Sequence, residues 1–190
     1  MVVEGRLRTA ESRPGFGRPP EGPAVILHFK LLESLRQAIV RDLQRPHPHA
    51  AERVGFLSGR FGDSAKSLMI LAHKFHSVDD AHYVIDRKVG ARFNSAAMRM
   101  ALQVALSDDV GMFHVHLHPH LGPPKPSSID WREWHKFVPD FRHVRPKLPH
   151  GALILSEDGI SGWCWYPRQD APIQIHRFTS VGLCLRAWRN

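Results

Sequence analysis

The sequence predicts a single α/β domain in which helices flank a mixed β-sheet. The chain has 190 residues, of which 43% are hydrophobic and 23% charged, as is usual for a globular domain with a sizeable core. Its hydrophobic pattern changes several times between the spacing of helices and that of strands. No internal repeat is visible, so these elements are expected to form one domain.

The first expected elements are an N-terminal arm, a helix and three strands. Residues 1–24 are rich in Gly, Pro and Arg, which predicts a disordered or loosely packed arm and a domain over residues 25–190. Residues 28–44 predict an amphipathic helix, because apolar residues recur there every four positions. Strands are then expected at residues 53–59, 67–76 and 82–86.

The second half of the chain alternates again between helix and strand. Asn94 predicts the N-cap of a second helix with a buried stripe of Met98, Ala101, Leu102 and Ala105. A strand is expected from Gly111 to Leu117 and a helix over residues 131–138. Further strands are expected at residues 151–156, 160–166 and 173–178.

Two histidines at the end of the strand that begins at Gly111 predict a metal site. His116 and His118 are two residues apart, so an extended backbone places both imidazoles on one face, within reach of one ion. A turn can return Asp130 as a third ligand. Three protein ligands leave one position of a tetrahedral zinc ion open to water, as in catalytic zinc sites.

Hydrolysis at such a site also needs a base that moves the proton of the water. Glu52 is the candidate, because it opens an apolar run to Gly59 that predicts a buried strand. Taken alone, each of these residues has an ordinary structural use. Ser127 or Ser128 before Asp130 is a usual helix start, and alternating histidines on a strand are often only half-buried polar residues. The combination, in this order, favours the zinc site.

Taken together, these motifs resemble those of the JAMM (JAB/MPN) metalloprotease family. The resemblance covers residues 25–178 in the order of elements and about ten positions of the motif itself. It implies a JAB/MPN-like domain with a zinc site at the end of a central strand. It further implies that Glu52 is the general acid/base, that Ser127 stabilises the oxyanion, and that one Zn²⁺ is bound by three ligands. The matching segments are Glu52 to Gly55, His116-x-His118-Pro119 and Pro126-Ser127-x-x-Asp130, and the zinc ligands would be His116, His118 and Asp130.

One spacing departs from the family pattern. Eleven residues separate His118 from Asp130, whereas the family usually has ten. The extra residue is expected in the loop of residues 120–125, where insertions are tolerated. If Ser128 rather than Ser127 stabilises the oxyanion, the assignments of the base and of the three ligands stay the same.

Family members mostly cleave after the C-terminal glycines of ubiquitin or ubiquitin-like proteins. The resemblance is to stand-alone bacterial members from operons that encode conjugation enzymes, some of which act in antiviral defence. It implies a zinc-dependent isopeptidase or peptidase that removes or matures a ubiquitin-like protein, with a conjugating enzyme as a further candidate partner. Alternatives are an amidase for small molecules, a non-catalytic scaffold of the same fold, and a histidine-triad nucleotide hydrolase built on residues 114–120. Metal dependence separates the last of these from the others.

Composition and charge limit the remaining classes. The chain contains no apolar run of 18 residues and no secretory signal, so a membrane partner is not expected. Only Cys164 and Cys184 are present, which favours a reducing, cytoplasmic setting. The net charge of +8 is dispersed rather than clustered with aromatic residues, which argues against nucleic acid. A solvated basic face is the first interpretation of this charge, and an acidic protein partner is the second.

Overall fold

The protein has a mixed α/β fold built around one nine-stranded sheet. The computed structural model describes residues 26–46, 50–64, 67–86, 90–167, 169–183 and 185–189. The strands are β1 (Ile26–Leu32), β2 (Val54–Ser64), β3 (Ser67–Ser77), β4 (Gly111–Leu117), β5 (His150–Leu155), β6 (Ile160–Trp165), β7 (Ile173–Gln174), β8 (Arg177–Val181) and β9 (Arg186–Arg189). The α-helices are α1 (Glu33–Leu43), α2 (Ser95–Asp108) and α3 (Ser128–Val144).

The sheet has the order β7-β6-β5-β4-β2-β3-β1-β8-β9. The pairs β1/β3, β1/β8 and β4/β5 are parallel, and the other neighbours are antiparallel. The sheet curls enough for Trp188 on the edge strand β9 to donate from its indole nitrogen to the carbonyl of Asp158, which lies between β5 and β6. β2 and β4 occupy the middle of this sheet.

Helices cover both faces of the central strands. Successive residues of a strand point to opposite faces, so Leu57 and Phe56 of β2 belong to different cores. Leu57 packs with Ile39 of α1 in one buried cluster. Phe56 packs with Ala101 of α2 and Phe141 of α3 in a second cluster. Among the described residues, no helix combines the length and apolar character needed to span a membrane.

Several elements agree with the sequence predictions. β4 has the predicted bounds, and the side chain of Asn94 caps α2 by accepting hydrogen bonds from the backbone of Ala96 and Ala97. Ala101 and Ala105 are buried as expected, whereas Met98 and Leu102 are only partly buried. Cys164 is fully buried, in line with a packing role. The arm predicted for residues 1–24, and Cys184, lie outside the described residues.

Other predictions about the elements were wrong. Residues 28–32 belong to β1, and the helix begins only at Glu33. Leu27, Phe29 and Leu31 are buried at every second position, a strand period that the four-residue spacing from Leu31 onward concealed. Residues 82–86 form no strand: His82 ends a short 3-10 helix that Asp79 caps, and Tyr83 makes only an isolated bridge to Phe93. Residues 173–178 are split between β7 and β8, and β9 was not predicted.

A glycine on β5 offers a test of this sheet. A Cβ on Gly151 would lie 2.1 Å from the carbonyl oxygen of Trp163 on β6 and 2.8 Å from the ring of Phe113. The backbone oxygen cannot yield without separating the strands. We expect Gly151→Ala to lower the free energy of unfolding by about 1–3 kcal/mol, seen as a lower Tm in thermal denaturation. Gly62→Ala is the control, because no atom lies within 4 Å of its Cβ position, and an equal loss in both variants would contradict the packing argument.

Candidate metal centre

The pairing of β2 with β4 brings the sequence-predicted residues together. The two strands are antiparallel, and Val54 lies opposite His116. Glu52 comes two residues before Val54, and His118 comes two residues after His116. The candidate base and both candidate histidine ligands therefore lie at the same end of two adjacent central strands. Glu52, His116 and the third candidate ligand, Asp130, line one pocket of about 600 Å³.

His116, His118 and Asp130 form a group whose ligand atoms could hold one metal ion. The Nε2 atoms of His116 and His118 are 3.1 Å apart. Nε2 of His116 lies 3.2 Å from Oδ1 of Asp130, and Nε2 of His118 lies 3.8 Å from Oδ2. All ligand atoms of the group lie within 4.8 Å of one another. This is the group of three that the sequence predicted.

These distances agree with the size of a zinc site. Ligand atoms about 2.0–2.1 Å from a tetrahedral ion are about 3.3 Å from each other, close to the separations in this group. Burial, followed by the neighbouring His116, lowers the pKa of His118, which favours the neutral imidazole that binds metals. Two imidazoles and a carboxylate suit zinc but do not distinguish it from other first-row ions with the same ligand preferences.

The start of α3 fixes the orientation of Asp130. Ser127 is the N-cap, and its backbone N–H and its hydroxyl both donate to Oδ2 of Asp130 at 2.7 Å. The backbone N–H of Asp130 in turn donates to the Ser127 hydroxyl oxygen at 3.2 Å, which completes a capping box. Oδ1 is left facing His116. Burial alone would raise the pKa of Asp130, but the hydrogen bonds from His116 and Ser127 outweigh it and hold the pKa well below its usual range.

This geometry bears on the predicted role of Ser127. Its hydroxyl is exposed, and the proton that an oxyanion would need is donated to Asp130. None of the described residues 119–128 lines the pocket. The structure therefore places Ser127 as the residue that orients a candidate metal ligand. Its action on an oxyanion stays a prediction.

Glu52 stands beside this group in a partly enclosed position. Its backbone N–H donates to the carbonyl of Gly90 at 2.9 Å. Burial is the main cause of a raised pKa at Glu52, with nearby His116 acting to lower the pKa and Asp130 acting to raise it. A carboxyl group with a raised pKa can gain and lose a proton closer to neutral pH, which is what a general acid/base requires.

His114 and His120 flank the group without joining it. His114 is buried beside Phe56 and Phe137, and burial is the main cause that lowers its pKa to about 3. His120 is exposed, and its Nδ1 contacts the carbonyl of Leu121 at 2.8 Å. Neither belongs to the three residues whose ligand atoms converge.

The loop of residues 120–125, where the extra residue is expected, is attached to the turn between β5 and β6. Gly122, at φ 88°, donates from its backbone N–H to Oδ1 of Asp158 at 2.7 Å. The hydroxyl of Ser156 donates to the Gly122 carbonyl at 2.6 Å, and the backbone N–H of Glu157 donates to the carbonyl of His120 at 3.1 Å. An insertion in residues 120–125 would therefore lie outside the pocket, against this turn.

The remaining walls of the pocket were not anticipated from the sequence. They come mainly from residues 90–98 and from the first turns of α3, including Trp134 and Phe137. Trp134 is four residues after Asp130 and so shares its helix face, a spacing that could have identified it. Its indole nitrogen and Nδ1 of His116 are buried and have no hydrogen-bond partner among the described residues. Gly90 also lines this pocket, and no pattern in the sequence identifies it as a pocket residue.

Comparisons with known proteins identify no family. No protein-family model matches the sequence, and no curated protein matches it. Among solved structures, the N-terminal domain of STIL from Trichoplax adhaerens aligns with a TM-score of 0.34 and 9% sequence identity. The alignment covers 70% of this chain and 39% of that chain. A similarity of this size establishes neither a shared fold nor a shared function.

The ligand assignment can be tested by elemental analysis. We expect the purified protein to bind about one zinc ion per chain. His116→Ala and Asp130→Ala should each lose nearly all of it, because two remaining ligands hold zinc poorly. His120→Ala is the matched control, since its side chain is close in sequence but outside the group, and it should keep the metal. Folded His116→Ala or Asp130→Ala protein that retains full zinc would exclude these ligands.

Proposed function

We propose that this protein is a zinc-dependent peptidase or isopeptidase of the JAMM type that removes or matures a ubiquitin-like protein. The observation that supports this most is the presence of Glu52 in the same pocket as His116 and Asp130. A metal group without a nearby carboxylate base would suit a structural site equally well. The base, the three candidate ligands and the pocket together favour hydrolysis. The proposal includes a JAB/MPN-like fold and a cytoplasmic location.

Each residue has a defined part in this reaction. His116, His118 and Asp130 would hold the ion, and three protein ligands are the number typical of catalytic zinc. When bound, zinc supplies Lewis acidity that polarises a carbonyl and lowers the pKa of a water molecule. Ser127 would keep Asp130 in the orientation that presents Oδ1 to the ion, because it occupies Oδ2 with two hydrogen bonds.

Glu52 would carry the proton between the two halves of the reaction. Its carboxylate would accept a proton from the attacking water as the carbon–oxygen bond forms. It would then donate that proton to the amine nitrogen as the carbon–nitrogen bond breaks. The partial burial that raises its pKa serves the first step, since a carboxyl group at its usual pKa would be a weaker base. Glu52 would touch the water and the leaving group rather than the metal.

The other candidate functions make different demands. A histidine-triad hydrolase needs a histidine as the nucleophile and no metal, whereas two of the histidines in residues 114–120, His116 and His118, converge with Asp130. A non-catalytic scaffold would have no use for Glu52 in the pocket. A small-molecule amidase would use the same residues, so only substrate preference separates it from the isopeptidase. A cleavage assay with and without a chelator, on ubiquitin-like fusions, small amides and a nucleotide, distinguishes all of them.

Substitution of Glu52 tests the mechanism separately from metal binding. We expect Glu52→Gln to retain zinc and fold while kcat falls by roughly 10²–10⁴-fold, because the amide cannot accept the proton. Cleavage of a ubiquitin-like fusion by gel or fluorescence would give the rate. Glu157→Gln, a change to an exposed carboxylate in the β5–β6 turn, should leave the rate nearly unchanged. Near-normal turnover of Glu52→Gln would show that another residue is the base.

Substrate preference is tested at the residue before the cut. If the scissile tail binds in an extended form and passes a narrow approach to the metal, small residues are preferred there on steric grounds. We expect cleavage directly after the terminal glycine of a ubiquitin-like tail, mapped by mass spectrometry. Gly→Leu or Gly→Trp at that residue should reduce turnover strongly. Cleavage indifferent to these changes, or equal cleavage of unrelated unfolded chains, would favour the amidase instead.

A further inference from the structure

Gly90 packs directly against the carboxyl group of Glu52. The backbone N–H of Glu52 donates to the carbonyl of Gly90 at 2.9 Å. A Cβ added at Gly90 would lie 2.5 Å from Oε2, 2.6 Å from Cδ and 2.9 Å from Oε1 of Glu52. All three atoms of the carboxyl group thus occupy the space that any other side chain at this position would need. Gly90 and Glu52 also line the same pocket.

The consequence of this contact differs from that at Gly151. At Gly151 a Cβ would strike a backbone oxygen, so the strands would have to separate. At Gly90 the atoms that it would strike are at the end of a side chain with several rotatable bonds. They can move at little cost in stability, but only by leaving their present position. Since non-bonded carbon atoms pack at about 3.5–4.0 Å, the carboxyl group would move by roughly 1 Å.

We infer that Gly90 is a positioning residue, which leaves room for the Glu52 carboxylate and holds it beside His116 and Asp130. The packing part of this inference is independent of any activity. Its consequence for turnover rests on the function proposed above. Gly90 would touch neither substrate nor metal and would act only through Glu52. A misplacement of about 1 Å at a catalytic group can cost on the order of 100-fold in rate.

The first experiment measures the Glu52 carboxyl group without any assay of activity. Crystal structures of the wild-type and Gly90→Ala proteins would give the position of the Glu52 carboxyl group. Gly90→Ala should displace this group by roughly 1 Å, because the added Cβ takes the space that its three atoms occupy. Gly62→Ala should leave it in the wild-type position. An unmoved Glu52 carboxyl group in folded Gly90→Ala would overturn the inference.

The second experiment uses a double-mutant cycle. Glu52→Asp withdraws the carboxylate by one methylene, out of the space that a Cβ at position 90 would fill. We expect Gly90→Ala to lower kcat by about 10–100-fold in the wild-type background, with KM nearly unchanged. In the E52D background the same change should lower kcat by less than about threefold. Equal losses in both backgrounds would show that Gly90 acts on turnover by another route.

Two controls keep these outcomes separate. Zinc content and Tm should be close to wild type in Gly90→Ala, because the metal ligands and the sheet are untouched and the backbone of Gly90 does not have the positive φ that disfavours alanine. If no variant or wild-type sample cleaves any substrate, the proposed function fails. The position of the Glu52 carboxyl group in the Gly90→Ala crystal structure would still decide the packing role of Gly90 in that case.

Discussion

The antiparallel pairing of β2 with β4 is the constraint on which the rest of the molecule depends. It joins the two strands at the middle of the sheet, and their alternate side chains enter two buried clusters on opposite faces. The same register, with Val54 opposite His116, brings the start of β2 to the end of β4. A shift of one residue would turn every side chain of one strand to the opposite face and remove His116 from Asp130. Core packing and site geometry are therefore specified by one set of backbone hydrogen bonds.

The carboxylate of Asp130 connects this sheet to the helical layer. One oxygen completes the N-terminal cap of α3, and the other faces His116. The interaction that begins the helix thus also aims the side chain at the candidate metal position. A helix start is a rigid place for a ligand, since its backbone is held by α3 and its side chain by Ser127. This explains how an element that follows a long loop can contribute to a precise site.

The sequence indicated the polar residues of the site better than the surfaces around them. His116, His118 and Asp130 were predictable because ligand chemistry restricts residue type and spacing, and Glu52 because it precedes a buried strand. The strand β1 was missed because its alternating apolar residues are few and lead directly into α1. Leu31 fits both the two-residue spacing of the strand and the four-residue spacing of the helix. Gly90 and the wall formed by residues 90–98 depend on contacts between distant segments, which leave no local pattern. The edge strand β9 carries no strong period either, as three of its four residues are exposed.

Asp158 joins three parts of the protein that are far apart in the sequence. Its carboxylate holds the loop between His118 and Ser127, and its carbonyl accepts from Trp188 on the last strand of the curled sheet. The loop and the last strand therefore both depend on the position of Asp158 for a hydrogen bond. During divergence, a change in loop length would alter the position of Asp158 and, with it, the carbonyl that accepts the hydrogen bond of Trp188. In homologous sequences, the His118–Asp130 spacing and the residues aligned with Asp158 and Trp188 should covary rather than change independently.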